Sequence, residues 1–292
     1  MKMLRTFWEF TRPHTIIGSA VSVTALYLMA VRELEFTSFF WLSLLAALLC
    51  NVFITGYNQL VDIELDKVNK PDLPLAAGKL KVSTARIIVF GSLVVSLAIA
   101  GTLSIQLLGL IGLISLLGFI YSWKVIYLKR YHQTAAFAII IVRGVLINLG
   151  FYAIYSGGFD FPVEIWTLTL FVVLFGAGIA WFKDIPDMEG DAQLEIGSLA
   201  IKQGATKTFV SGVWLLGIAY SVAAFAPLFF EFNLSSGGIV TFGHAILGIA
   251  FLVLASKTDP SIKHQMKRFY LSFWVLFFLE YVLWVVAFFA AA

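Results

Sequence analysis

A single cysteine, Cys50, stands in the 292-residue chain, which excludes an intrachain disulfide framework and any cysteine-rich metal centre. Charge is scarce as well. Asp, Glu, Lys and Arg make up 13% of residues, against about a quarter in soluble domains, while 60% are hydrophobic. Histidine numbers only four, and His132, His244 and His264 have no histidine, cysteine or carboxylate three or four positions along, so no metal role is expected of them. No Pro/Gly/Ser-rich linker divides the chain into separate soluble domains. What these absences leave is an integral membrane protein. The roughly fourteen residues before the first apolar run lack the composition of an organelle transit peptide, which predicts a bacterial-type or mature N-terminus. "TIIGSAVSVTALYLMAV" then reads as a first span rather than a cleaved signal.

Apolar runs long enough to cross about 30 Å of hydrocarbon fall near 15–31, 38–57, 84–101, 105–122, 134–156, 165–182, 208–230, 238–255 and 269–290. The expected fold is therefore all-α, with nine transmembrane helices in one domain over 1–292, surrounding a central cavity that opens near the cytoplasmic face. Eighteen of the twenty Lys and Arg residues fall on one side of this arrangement. Excess Lys and Arg marks cytoplasmic loops, so loops 58–83, 123–133 and 183–207 and the N-terminus are expected inside, with the C-terminus opposite.

Carboxylates gather at two of these cytoplasmic boundaries. In "NQLVDIELD", Asn58, Asp62 and Asp66 are spaced i, i+4, i+8 and occupy one sector of a helix. In "KDIPDMEGD", Asp184, Asp187 and Asp191 are spaced i, i+3, i+7 and, on one continuous helix, would share a face. Glu64 and Glu189 point away from those sectors. Five aspartates facing inward repel one another unless a cation sits among them. Hard oxygen ligands suit Mg²⁺, which commonly shares its coordination with waters and a substrate phosphate. Lys70, Lys124, Lys129, Arg130 and Lys183 lie on the same side and could hold the remaining phosphate oxygens; topology alone accounts for Lys79, Lys81 and Lys207. Membrane, aspartates and basic ring together suit a diphosphate on a lipid tail.

These residues resemble the UbiA superfamily of intramembrane aromatic prenyltransferases over nearly the whole chain. "TRPHTIIG", "NKPDLPLAAGKL" and "IVRGVLINLGFY" are most similar to homogentisate phytyl, geranylgeranyl or solanesyl transferases. The resemblance implies that Asn58 and the five aspartates bind Mg²⁺ and a prenyl diphosphate, and that Lys124, Lys129 and Arg130 near Tyr121 assist the leaving group. It further implies an aromatic acceptor that loses CO₂ during the reaction and an acceptor contact from His14; Arg12, beside it in "RPH", and Arg143 are also assigned to the acceptor. One departure stands out: the text after Tyr121-Ser122 is "WKVIYLKR", where relatives often carry prolines and an arginine.

Two readings of Arg143, a charge in mid-span, stand at this point: a hold on the acceptor's carboxylate, or an ion pair with Glu280, the other ionisable residue deep in a span. Other acceptors (4-hydroxybenzoate, naphthoate, chlorophyllide, glycerol phosphate) share the same donor chemistry. A secondary transporter is the rival class, but its ionisable groups gather at the midplane whereas these aspartates cluster at one surface. No nucleic-acid partner is expected, membrane lipid surrounds the chain, and nothing in the sequence sets an oligomeric state.

Overall fold

The computed structural model describes residues 2–290. An N-terminal helix, α1 (Lys2–Phe10), precedes α2 (Pro13–Val31), α3 (Ser38–Val61), α4 (Ile63–Asn69), α5 (Val82–Leu103) and α6 (Ile105–Ser122). Then come α7 (His132–Ile140), a π-helical stretch (Ile141–Gly150) and α8 (Phe151–Ser156), which together form one span. The rest is α9 (Val163–Asp184), α10 (Met188–Gln193), α11 (Leu199–Gln203), α12 (Ala205–Phe225), α13 (Leu234–Ser256) and α14 (Lys263–Ala290). Nine helices among the described residues are long and apolar enough to cross a membrane, at the expected places. The last starts six residues before the expected 269, because Lys263, His264, Lys267 and Arg268 continue its polar interfacial turn.

Local chemistry sets the helix ends. The first helix stops at Arg12, whose φ of 54° is left-handed, and Pro13 opens α2 in the one position where its missing N–H costs nothing. Thr37, Ser104 and Asn233 cap α3, α6 and α13 by accepting the N–H of Phe40, Leu107 and Ser235 at 3.3, 3.0 and 2.9 Å.

Packing divides the chain into two compact units. The first comprises the N-terminal stretch ending at Ala20, Glu35–Ala138 and Asp187–Ser198. Its apolar cluster joins Phe10, Phe53, Leu75, Ala85 and Val89, so the loop after α4 is pinned by Leu75 rather than left open. Polar ties run between its helices: Gln59 Nε2 donates to the Phe10 carbonyl at 2.7 Å, Asn51 Nδ2 to Ser19 Oγ at 2.7 Å, and Ser96 Oγ to the Ala46 carbonyl at 2.7 Å.

The second unit comprises Val21–Leu34, Ile139–Pro186 and the stretch from Leu199 onward. Helix α9 is its most enclosed span. Phe175 stacks on Phe273 of α14 at 4.0 Å between centroids, and Phe182 meets the same ring edge-on at 5.2 Å. Much of the phenylalanine content thus packs helix against helix. In hydrocarbon such association rests on close packing and interhelical hydrogen bonds, since lipid tails are as apolar as the side chains.

One polar group in this unit lies far from any helix end. Fully buried His244 on α13 meets fully buried Glu280 on α14, Nε2 to Oε1 at 2.6 Å, and Trp284 Nε1 donates to the same oxygen at 2.9 Å. His244 Nδ1 lies 2.7 Å from the Val240 carbonyl. Removing one member strands the other in a low-dielectric interior, whereas removing both leaves nothing unsatisfied except Trp284. Either Glu280→Leu or His244→Leu should therefore lower thermal stability in detergent by about 1–2 kcal/mol, with the double variant more stable than the worse single one. A double variant showing the sum of both losses would contradict this pairing.

Candidate active site

Four of the five motif aspartates fall in the first unit, and all four are buried: Asp62, Asp66, Asp187 and Asp191. The first motif crosses the join between α3 and α4. Asp62 is the hinge, with φ −105° and ψ 19°, yet the i to i+4 ladder survives it: Asp62 N–H donates to the Asn58 carbonyl at 3.0 Å and Asp66 N–H to the Asp62 carbonyl at 2.7 Å. Asn58, Asp62 and Asp66 therefore keep the common sector that their spacing predicts. Asn58 Nδ2 donates to Asp62 Oδ2 at 2.8 Å and to Ser122 Oγ at 3.0 Å, holding the carboxylate in place.

The second motif departs from the expectation. Asp184, Asp187 and Asp191 do not share one helix, because α9 ends at Asp184 and a turn through Ile185 and Pro186 intervenes before α10. Proline lacks the N–H needed to continue the ladder, so the helix ends here although Ile185 itself keeps helical dihedrals, φ −60° and ψ −50°. Asp184 consequently belongs to the second unit, where Lys183 pairs with it, while Asp187 and Asp191 belong to the first.

What joins Asp187 and Asp191 to the first motif is α4. Lys70 pairs with Asp187. Buried Asn69 forms a clasp: its Oδ1 accepts the Gly190 N–H at 2.9 Å and its Nδ2 donates to Asp191 Oδ1 at 3.3 Å. A Cβ at position 190 would stand 2.5 Å from Asn69 Oδ1, so only glycine admits this approach. The sequence analysis missed Asn69, although it lies seven residues beyond Asp62 and so continues the Asp62–Asp66 stripe.

Three cations serve these four carboxylates. Lys129 is almost fully enclosed and pairs with Asp62; Lys70 pairs with Asp187; Arg12 lies 3.8 Å from Asp66 and donates to Asn58 Oδ1 at 3.3 Å. Arg12, expected beside an acceptor, is thus part of the aspartate cluster. Burial holds the Asp66 carboxyl above the usual carboxylate range, with Arg12 and Lys70 opposing that rise. Burial and the Asp62 charge likewise push the Tyr127 phenol up; its hydroxyl donates to Asp62 Oδ1 at 3.4 Å. Tyr127 is a second residue the sequence reading did not name, held at φ 50° by the turn that delivers Lys129.

Other candidates lie elsewhere. Lys124 is exposed and forms no ion pair or hydrogen bond among the described residues. Arg130 sits at an exposed rim, 3.7 Å from Glu195. His14 is half-buried in the first turn of α2. Glu64 pairs with exposed Lys67 at 2.8 Å and Glu189 is exposed, both away from the cluster as expected.

Among the described residues no three His, Cys, Asp or Glu side chains converge closely enough to hold an ion by themselves. Magnesium does not require that, since it keeps several waters and binds through one or two carboxylates plus phosphate oxygens. The donor set fits such an ion. It is all oxygen, and Asp187 Oδ1 is buried with no hydrogen-bond partner among the described residues.

The homogentisate phytyltransferase of Synechocystis sp. is 38% identical over 98% of this chain and 96% of its own length. A naringenin 8-dimethylallyltransferase of Sophora flavescens is 35% identical over 96% of this chain and 72% of its own. Among solved structures, a UbiA homolog from Archaeoglobus fulgidus bound to GPP and Mg²⁺ superposes with a TM-score of 0.68 at 16% identity, covering 96% of this chain and 99% of that one, and so shares the fold. The UbiA prenyltransferase family matches residues 19–291, and the chain belongs to that family.

Proposed function

We propose that this membrane prenyltransferase transfers a prenyl group from a prenyl diphosphate to homogentisate, with magnesium held at the aspartates. The carrying observation is the buried cluster of Asp62, Asp66, Asp187 and Asp191, lined by Arg12, Lys70 and Lys129, in which Asp187 Oδ1 has no hydrogen-bond partner among the described residues. Near-complete coverage of the Synechocystis homogentisate phytyltransferase supports the acceptor. The likeness to the Sophora flavescens enzyme, named for a naringenin acceptor, favours a second reading in which the donor chemistry is the same and the ring differs.

Asp62, Asp66, Asp187 and Asp191 would hold the magnesium. When bound, the ion neutralises part of the diphosphate charge and stabilises it as it leaves. The chain's own groups do the rest. Lys70, Lys129 and Arg12 present N–H donors to phosphate oxygens, and Arg130 lies at the exposed rim; Lys183 is kept as a diphosphate-binding candidate on its chemistry alone. Asn58 and Asn69 hold the carboxylates so that these groups need no rearrangement as charge develops. The allylic C–O bond breaks with its electron pair going to the diphosphate, and an electron pair of the acceptor ring forms the new C–C bond. The ring then regains aromaticity by releasing CO₂ or a proton. Tyr127, whose phenol stays protonated beside Asp62, is a hydrogen-bond donor here rather than a base.

Substitutions that keep shape and remove charge test the cluster. Asp62→Asn, Asp66→Asn, Asp184→Asn, Asp187→Asn and Asp191→Asn should each lower kcat/KM by about 100- to 1,000-fold in protein that still folds. Glu64→Gln and Glu189→Gln should stay within about twofold of the parent. Full activity in EDTA, or glutamate variants as damaged as the aspartate ones, would sink the magnesium assignment.

The orientation rests on the one-sided Lys and Arg distribution. We place loops 58–83, 123–133 and 183–207 and the N-terminus at the cytoplasmic face, and the C-terminus at the other. Because the only native cysteine, Cys50, is buried, introduced cysteines report cleanly. A membrane-impermeant thiol reagent added to intact cells should label Asp160→Cys and spare Asp72→Cys and Glu195→Cys. The reverse pattern would invert the topology.

A further inference from the structure

Arg143 sits eleven residues into the His132–Ser156 span, about 16 Å along the axis from its first residue. A charge at that depth costs at least about 2.5–3.5 kcal/mol unless something answers it. Among the described residues only an aromatic face does. Glu280, the partner considered from sequence, is taken by His244 and Trp284, and Arg143 forms no hydrogen bond or ion pair among the described residues. The titratable groups near it are the phenols of Tyr270 and Tyr281. Tyr281 donates to Asn148 Oδ1 at 2.6 Å, so it is already committed. The guanidinium lies instead over the Trp274 ring, 4.7 Å from its centroid, and the residue keeps part of its surface accessible despite its depth.

Its setting is fixed. The span runs as π-helix from Ile141 to Gly150, an uncommon form that frequently marks functional sites. Gly144 presses against α9 so closely that a Cβ there would stand 2.7 Å from Val173 Cγ2. Asn148 Nδ2 donates to the Gly144 carbonyl at 3.0 Å, satisfying an acceptor that the wide turn would otherwise leave open. Gly144 faces Val173 and Gly176 faces Ile140, which makes the two spans antiparallel. Asp184 thus lies eleven residues from the Arg143 level along α9, again about 16 Å, and a helical side chain leans back toward its own N-terminus, here the Asp184 end.

We propose that Arg143, backed by Trp274, is the carboxylate receptor that selects an acid-bearing aromatic acceptor. This rests on the proposed prenyl transfer and names a determinant of its acceptor class. One guanidinium matches one monoanion through its fork of N–H donors, whereas a diphosphate requires several cations. Lipid phosphates lie at the interface, not at this depth, and the buried Trp274 ring holds the guanidinium in place.

The test separates recognition of charge from catalysis. In detergent-purified enzyme, 4-hydroxyphenylacetate and its amide serve as dead-end probes, read by thermal shift and by competition with the acceptor. The parent should prefer the acid. Arg143→Gln should erase that preference, weakening acid binding by about 10- to 150-fold while moving the KM for prenyl diphosphate by less than twofold. Arg143→Lys, which keeps the charge and loses the fork, should fall between, and it carries the test if the glutamine variant does not fold. An acid preference unchanged in the folded variants, or an equal rise in both KM values, overturns the receptor role. If the parent binds the acid through Arg143 yet transfers no prenyl group to any carboxylated ring, the homogentisate reading fails and the anion site stands.

Discussion

Burying carboxylate in a low-dielectric interior is the constraint around which the first unit is organised. Asp62, Asp66, Asp187 and Asp191 are each less than a tenth exposed, and leaving such charges unanswered costs several kcal/mol apiece. The chain supplies Lys129 from the turn after α6, Lys70 from the end of α4, and Arg12 from the break between α1 and α2. Each cation comes from a different connection, so the connections are as much part of the cluster as the helices that carry the aspartates.

That arrangement depends on neutral clasps as well as charge. Asn69 ties the start of α10 to α4 by holding Gly190 and Asp191 together, and Asn58 fixes Asp62 against Ser122. Beneath them, Phe10 and Leu75 anchor the N-terminal helix and the loop after α4 to α3 and α5. Pinning by apolar contact keeps a loop rich in Lys and Pro from wandering at the membrane surface, so Lys70 stays at Asp187.

The second unit handles its buried charges by two contrasting means. Glu280 is answered by His244 and Trp284, giving a group that ties α13 to α14 and is closed on itself. Arg143 is answered only by an aromatic face. Both sit deep in spans, where lone ionisable groups are disfavoured; Glu280 meets a histidine and an indole N–H through Oε1, while Oε2 is buried without a partner, and Arg143 meets no hydrogen-bonding group among the described residues. The surrounding phenylalanine stacks, Phe175 on Phe273 above all, hold the helices that carry both.

Nine spans, their order, and the gathering of aspartates at one face were legible in the sequence, because hydrocarbon thickness imposes a length on every apolar run and α-helical periodicity survives even the hinge at Asp62. Periodicity failed where a proline broke it: "KDIPDMEGD" reads as one helical stripe, but Pro186 splits it and sends Asp184 and Asp187 to different packing units. Long-range pairing was not legible at all. That Arg12 would turn to Asp66 rather than to an acceptor, that Asn69 would clasp Gly190 across 121 positions, and that Glu280 would choose His244 over Arg143 were decided by which side chains the folded helices bring within hydrogen-bond reach. One-dimensional spacing carries no information about that reach beyond a turn or two of its own helix.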